Sequence, residues 1–378
     1  PGQALELLDA ALALDPRHLD ARLERVALLG RLGRRADADV ALRALAEDEG
    51  EHPRVLAARA QTMPPGEAAT LLRRALDIDP YLVPAWRALG RHLEHLGRID
   101  DAVIAYRSGL ERAPDDPDLH ARLGRLLART GGDAGVHLRE ALRLTAVPRP
   151  EVQVALGAHL ADRGQLRDAL ALYDEVLAGD PDHVGARNNR AVALYRTGRV
   201  EEALGALEAL AREHPGHPDA HNNLAALALD RGRWSDAAAH ARSALRARPD
   251  HVNAWLNLGL ARDGEGQFQE AENAFRRCLD LDGRHTMARF HLARLYARDP
   301  GRAPSAAELL REISTEAPSF PEPHLLLGEL YAGVLDDPRR ARAHLNAFLR
   351  LTAAAGADDP RTVNVQSLLA DLSLRGGP

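Results

Sequence analysis

Prolines at a fixed interval constrain this chain more than any other feature. Pro80 and Pro114 stand 34 residues apart, and Pro181, Pro215 and Pro249 repeat the same interval. A chain that copies itself at this period builds small units, none able to bury its apolar face alone, so the units must stack. Composition says of what: the 378 residues are 45% hydrophobic but only 4% aromatic, and alanine, leucine and arginine recur throughout. These are strong helix formers, so the expected class is all-α.

The unit from Val83 to Asp116 shows the internal logic. Trp86, Leu89, Gly90 and Leu93 are spaced for one face of a first helix, and Ala102, Tyr106, Gly109 and Leu110 for one face of a second. Small Gly90 and Ala102 allow the helices to approach, and bulky Trp86 and Tyr106 fill the space beside them. Gly97 breaks the chain between the helices, and Pro114 stops the second one because it cannot continue the hydrogen-bond ladder.

Trp86-Leu89-Gly90-Leu93-Ala102-Tyr106-Pro114, and again Trp255-Leu258-Gly259-Ala271-Phe275, resemble the tetratricopeptide repeat family. The resemblance recurs in register, with units beginning at Pro150, Val184, Pro218, Val252 and Thr286. It implies a right-handed superhelical solenoid of antiparallel helix pairs, about ten repeats long with a C-terminal capping helix.

On this pattern residues 1–18 supply the second helix of a truncated repeat, with Ala4, Leu8, Ala11, Leu12 and Pro16 at second-helix positions. Residues 19–149 are irregular repeats, 150–285 four regular ones, 286–352 two repeats with turn insertions, and 353–378 a capping helix and tail. Met63-Pro64-Pro65-Gly66 shortens one unit and Gly131-Gly132-Asp133 another; Asp299 to Pro304 and Asp336-Asp337-Pro338 lengthen two turns. Asp358-Asp359-Pro360 precedes the cap, whose apolar residues are Val363, Val365, Leu368, Leu369 and Leu372.

The family's geometry places the second, fifth, sixth, ninth, twelfth and thirteenth residues of each first helix on a concave face. Asn189, Asn223 and Asn257 occupy the sixth position of three successive units, with Asn188, Asn222 and Asn253 beside them and His291 at the sixth position of the next. Asparagine costs about 0.5 kcal/mol or more against alanine inside a helix. A primary amide can bond the N–H and C=O of an extended peptide together, so the set reads as a peptide-binding ladder. It resembles the asparagine ladder in the repeat region of O-linked N-acetylglucosamine transferase. The competing reading is that the amides bond one another or water between repeats.

A second concave group is basic: Arg87, Arg91 and His95 on one helix, Arg122, Arg125 and Arg129 on the next. Guanidinium forks take carboxylates in pairs, so an acidic segment or a C-terminal carboxylate fits there. The family's carboxylate clamp uses Lys and Asn at comparable places, a pattern missing here. A solvated charged face that includes Glu94 explains the same residues.

His183, His217, His251 and His285 recur at the last position of four units. Stacked hairpins set them roughly 10 Å apart, too far to share an ion, so they read as residues of the loop or helix start. His92 and His95 lack further ligands and form no convincing metal site. Trp234 and Phe268 share the place of Ile99, Leu166 and Val200 and read as core; Cys278 reads as a buried inert thiol.

No phosphate loop, nucleophile elbow or metalloprotease helix is present, so neither catalysis nor a cofactor or metal is expected. A net charge of −6 argues against nucleic acid. No stretch nears the roughly 18 apolar residues of a membrane span. All 49 basic residues are arginine, which points to a GC-rich, bacterial source. The expected function is a scaffold that binds an extended protein or peptide in its groove. The alternative is the non-catalytic recruiting region of a larger enzyme truncated on its N-terminal side, and homo-oligomerisation through that front face is a further possibility. The compartment is not readable from these residues.

Overall fold

A computed structural model describes residues 2–353 and 360–375. Among them the chain is all-α, with 22 α-helices, one 3-10 turn and no strand. Contacts divide it into two compact units, residues 1–193 and 194–378.

The first unit holds α1 (Gly2–Leu14), α2 (Leu19–Arg31), α3 (Arg35–Glu49), α4 (Pro53–Ala60), α5 (Pro65–Ile78), α6 (Val83–His95), α7 (Ile99–Arg112), α8 (Pro117–Arg129), α9 (Gly135–Arg143), α10 (Pro150–Asp162), α11 (Leu166–Gly179) and most of α12 (Val184–Arg196). The second holds α13 (Val200–Glu213), α14 (Pro218–Asp230), α15 (Trp234–Ala247), α16 (Val252–Gly264), α17 (Phe268–Leu281), α18 (Thr286–Tyr296), the turn Pro300–Arg302, α19 (Ala303–Glu316), α20 (Glu322–Ala332), α21 (Pro338–Thr352) and α22 (Pro360–Arg375).

Seven of the hairpins turn on a glycine in the left-handed conformation. Gly97 takes the left-handed conformation (φ 70°) that ends α6, and the Arg98 N–H returns to the Leu93 carbonyl at 2.9 Å. Gly90 lies where a Cβ would overlap the Tyr106 ring; Gly124 stands likewise against Leu138, and Gly259 against Phe275. These contacts equate Tyr106, Leu138 and Phe275 as one structural position despite the unequal turns. The repeats are unequal: α4 has only 8 residues and α9 only 9, the 3-10 turn sits in the connection before α19, and Asp336 takes a positive φ of 44° in the connection before α21.

Several side chains lie elsewhere than their spacing suggests. Trp234 and Phe268 are 38% and 49% exposed, not core. They stand at the turn edge, where the slot suits Ile99 or Val200, and the larger rings spill over the following repeat: Trp234 against Gly264, and Phe268 under the Arg298 guanidinium at 4.8 Å. In α1 the packed face is Leu5, Leu8 and Leu12, with Leu5 against Leu28 and Leu29, while Ala4 and Ala11 are exposed. At the other end Val365 and Leu372 of α22 close the core of α20 and α21, and Val363 is exposed. Asp358, Asp359 and the tail 376–378 lie outside the described residues.

Candidate functional site

The basic group is brought together in the first unit. Arg87 on α6 reaches Asp118 of α8 at 2.7 Å, and Arg129 on α8 reaches back to Glu94 of α6 at 3.6 Å, so these faces adjoin. Glu94 also accepts from the Tyr106 hydroxyl at 2.5 Å, while Arg122 sits against the same phenol. Burial, with this carboxylate beside it, pushes the Tyr106 hydroxyl well above its usual range. Arg91 and Arg125, each the ninth residue of its helix, are exposed and carry no ion pair among the described residues.

The amides are placed differently. In the first unit Asn188 donates through Nδ2 to Asn189 Oδ1 at 3.1 Å. In the second, Asn257 donates through Nδ2 to both the side-chain oxygen (3.0 Å) and the main-chain oxygen (3.3 Å) of Asn222, joining α16 to α14. Asn253 accepts from His285 Nε2 at 3.4 Å, and Asn223 is also engaged within the chain. Two neighbouring pairs of amides, Asn188–Asn189 and Asn222–Asn257, thus bond each other. His291 is stacked on Phe275 and edge-on to Phe290; burial lowers its pKa to about 4, and its Nδ1 has no partner.

The recurrent histidines start helices. His183, His217, His251 and His285 each accept through Nδ1 the backbone N–H three residues on, at 3.1, 3.0, 3.3 and 3.2 Å. This is the bond an N-cap Ser or Asp makes, here from imidazole. His251 also donates through Nε2 to Asp219 at 3.1 Å. Cys278 is fully buried, and burial pushes its thiol up to about 11. Among the described residues no group of three or more His, Cys, Asp or Glu could hold a metal ion, and no helix is long and apolar enough to cross a membrane.

Sequence reasoning missed a second histidine set. His120 of α8 meets His137 of α9 with Nδ1 atoms 3.0 Å apart, His221 of α14 meets His240 of α15 at 3.3 Å, and His324 of α20 meets His344 of α21 at 3.0 Å. The first partner always occupies the place held by Trp86 and Trp255 in other repeats. Trp86 and Trp255 donate to the carbonyls of Pro80 and Pro249, both at 2.9 Å; His120 and His221 make the same bond to Pro114 and Pro215, at 2.8 and 3.1 Å.

Tetratricopeptide repeat profiles match residues 83–126, 154–218, 222–264 and 264–330, together more than half of the chain. A 154-residue stretch is 27% identical to the cytochrome c-type biogenesis protein CycH of Bradyrhizobium diazoefficiens, covering 38% of this chain and 42% of that protein. The chain therefore matches less than half the length of that relative. A chain of the APC/C hetero-tetramer Cut9-Hcn1 is similar with a TM-score of 0.61 and 16% identity, over 98% of this chain and 81% of that one. Human IFIT1, solved as a dimer with PPP-AAAA, is similar with a TM-score of 0.51 and 18% identity, over 93% and 95%. At such identities the likeness is one of fold.

Proposed function

The chain belongs to the tetratricopeptide repeat family, and from that premise we propose that it is a non-catalytic scaffold that docks an acidic, extended segment of a partner protein on the α6–α8 face. The observation that carries this reading is the pair Arg91 and Arg125, at one repeat position on adjoining helices, exposed and without counter-ions. Arg87 and Arg129, held by Asp118 and Glu94, frame them. Hydrogen bonds to charged groups contribute about 1.5–3 kcal/mol each, so two such contacts supply about 3–6 of the roughly 8 kcal/mol of a micromolar affinity. The asparagines could hold a peptide main chain with the donor and acceptor capacity their mutual bonds leave unused, or by exchanging partners such as the Asn222–Asn257 pair for the ligand.

Peptides rich in Asp and Glu, set against Asn/Gln versions of equal length, provide the test by fluorescence polarisation. The acidic set should bind tenfold or more tightly, weaken as salt rises, and lose that advantage on an Arg91→Ala, Arg125→Ala variant. Equal binding of the two sets, or an unaffected variant, would sink the reading. An Asn189→Ala, Asn223→Ala, Asn257→Ala variant with normal helicity tests the amides separately.

A second reading, as the recruiting region of a larger protein, is favoured by the partial match to the CycH biogenesis protein. Binding of a partner segment by this chain alone, at the affinity of the complete natural protein, is the outcome it requires.

A further inference from the structure

We propose that the three histidine pairs are an acid-sensitive device: each hairpin they close holds one added proton and loosens when a second is forced onto the pair. The geometry fixes how the rings meet. Ring centroids are 5.2, 5.6 and 5.3 Å apart, against nitrogen separations of 3.0, 3.3 and 3.0 Å. The excess is the same each time and equals two ring radii, so both nitrogens lie on the line joining the rings. That is a head-on N–H···N hydrogen bond. A shared metal ion would need both lone pairs to converge on a point off that line, which draws the rings closer together.

The tautomers follow in two pairs. A carbonyl only accepts, so the bonds to Pro114 and Pro215 place a proton on Nε2 of His120 and His221. Their neutral rings then present a lone pair at Nδ1, and His137 and His240 donate Nδ1–H to it. A first added proton keeps the bond, because a charged His137 still donates, and meets only the cost of burial. A second must go to His120 Nδ1, where it faces another N–H at 3.0 Å, removing the bond and opposing two positive charges.

The surroundings differ among the pairs. Around the first stand Arg107 of α7, Asp133 of the turn, Glu140 of α9 and, on α10, His159, which is itself turned to Asp133. Around the second stand Glu208 of α13, His217 at the start of α14, and Arg233 and Asp236 at the start of α15. The third is faced by Arg311 of α19 and by Arg340 and Arg350 of α21; Arg361 of α22 is held by Glu322. Burial, ahead of any neighbouring charge, holds His137, His240, His324 and His344 below the usual imidazole range.

In the unfolded chain both rings of a pair take up protons as pH falls through about 6.5. The folded pair takes at most one, and burial opposes even that, so acid favours opening by at least one proton per pair. The third pair, faced by three arginines, should respond first.

The test is hydrogen exchange of the full chain at pH 7.5 and 5.0, with protection corrected for intrinsic rates. Protection should fall at least tenfold more in 117–143, 218–247 and 322–352 than in the tryptophan hairpins 83–112 and 252–281, which serve as internal controls. A uniform fall, or none, overturns the proposal. Imidazole NMR gives a second readout that needs no variant: each pair should titrate in two well-separated steps, and six independent titrations near the usual value would overturn it. Zinc chloride added at pH 7.5 should leave the melting temperature unchanged; a rise abolished by His137→Ala, His240→Ala and His344→Ala would replace the shared proton with a metal ion.

Discussion

The hairpins α6–α7 and α8–α9 are neighbours built on one plan and filled by different chemistry. Both begin with a 13-residue helix, bring a glycine against the second helix at Gly90 or Gly124, and anchor a ring to a proline carbonyl. In the first, an indole at Trp86 faces a second helix whose corresponding position is Ala105, and Tyr106 fills the space over Gly90. In the second, two imidazoles share the Trp86 slot and Leu138 lies over Gly124. The same alternation separates Trp255 with Ala274 from His221 with His240. One large ring or two small ones satisfy the same volume and the same carbonyl, but only the second solution titrates.

The largest effect should come from emptying the space the two hairpins share. Tyr106→Ala should cost about 3–5 kcal/mol and Leu138→Ala about 2–5 kcal/mol, read as shifts in urea midpoint. Tyr106 is fully buried and bonded to Glu94, so its loss leaves a cavity and takes one donor from the half-buried Glu94 carboxylate, which keeps Arg129 at 3.6 Å. If Leu138→Ala proved the costlier by far, the equivalence drawn from the glycine contacts would be wrong.

Exchanging the ring pairs is the sharper trial. Trp86→His with Ala105→His should destabilise the protein by about 1–3 kcal/mol at pH 7.5 and transfer acid sensitivity to 83–112. His120→Trp with His137→Ala should remove it from 117–143. The sign follows from burial: the folded pKa of His137 is depressed, so stability is intact above about pH 6.5 and is lost as pH falls from there through the folded value. Melting curves across pH 7.5 to 4.5 would show whether the slope moves with the rings.

Caps should produce smaller differences. Asp116 accepts from the Asp118 and Leu119 N–H groups, both at 2.9 Å, so Asp116→Ala should cost about 1 kcal/mol. His217 accepts one N–H, from Ala220 at 3.0 Å, and His217→Ala should cost about 0.5 kcal/mol at pH 7.5 and less in acid. A protonated Nδ1 cannot accept, and its charge meets the positive end of the helix dipole.

The hairpins themselves were legible because periodicity reports burial: Gly90, Gly97, Tyr106 and the interruptions at Met63 to Gly66 and Gly131 to Asp133 all behave as their spacing implies. The histidine pairs were not, because His120–His137, His221–His240 and His324–His344 are 17, 19 and 20 residues apart. Unequal turns hide their common place until the glycine contacts realign the second helices. Asparagine spacing revealed a common surface but not the partner each amide chooses, which depends on side-chain torsions that repeat register does not fix. The candidate carboxylate cations needed the structure too, since all five arginines look alike until Asp118 and Glu94 claim two of them.

The smallest expected effect on stability carries the functional question. Arg91 and Arg125 are exposed and bridge nothing, so replacing both with alanine should change the urea midpoint by no more than about 0.5 kcal/mol equivalent. Arg87→Ala should cost more, about 1 kcal/mol, because it releases Asp118 on the next helix and leaves that carboxylate with Arg149 alone at 3.0 Å. A binding face is recognised by the reverse ordering in affinity: the Arg91, Arg125 variant, barely altered in stability, should lose acidic peptide more completely than Arg87→Ala. If affinity instead tracked stability across the three positions, the arginines would serve to join α6 to α8 and the face would have no claim as a docking surface.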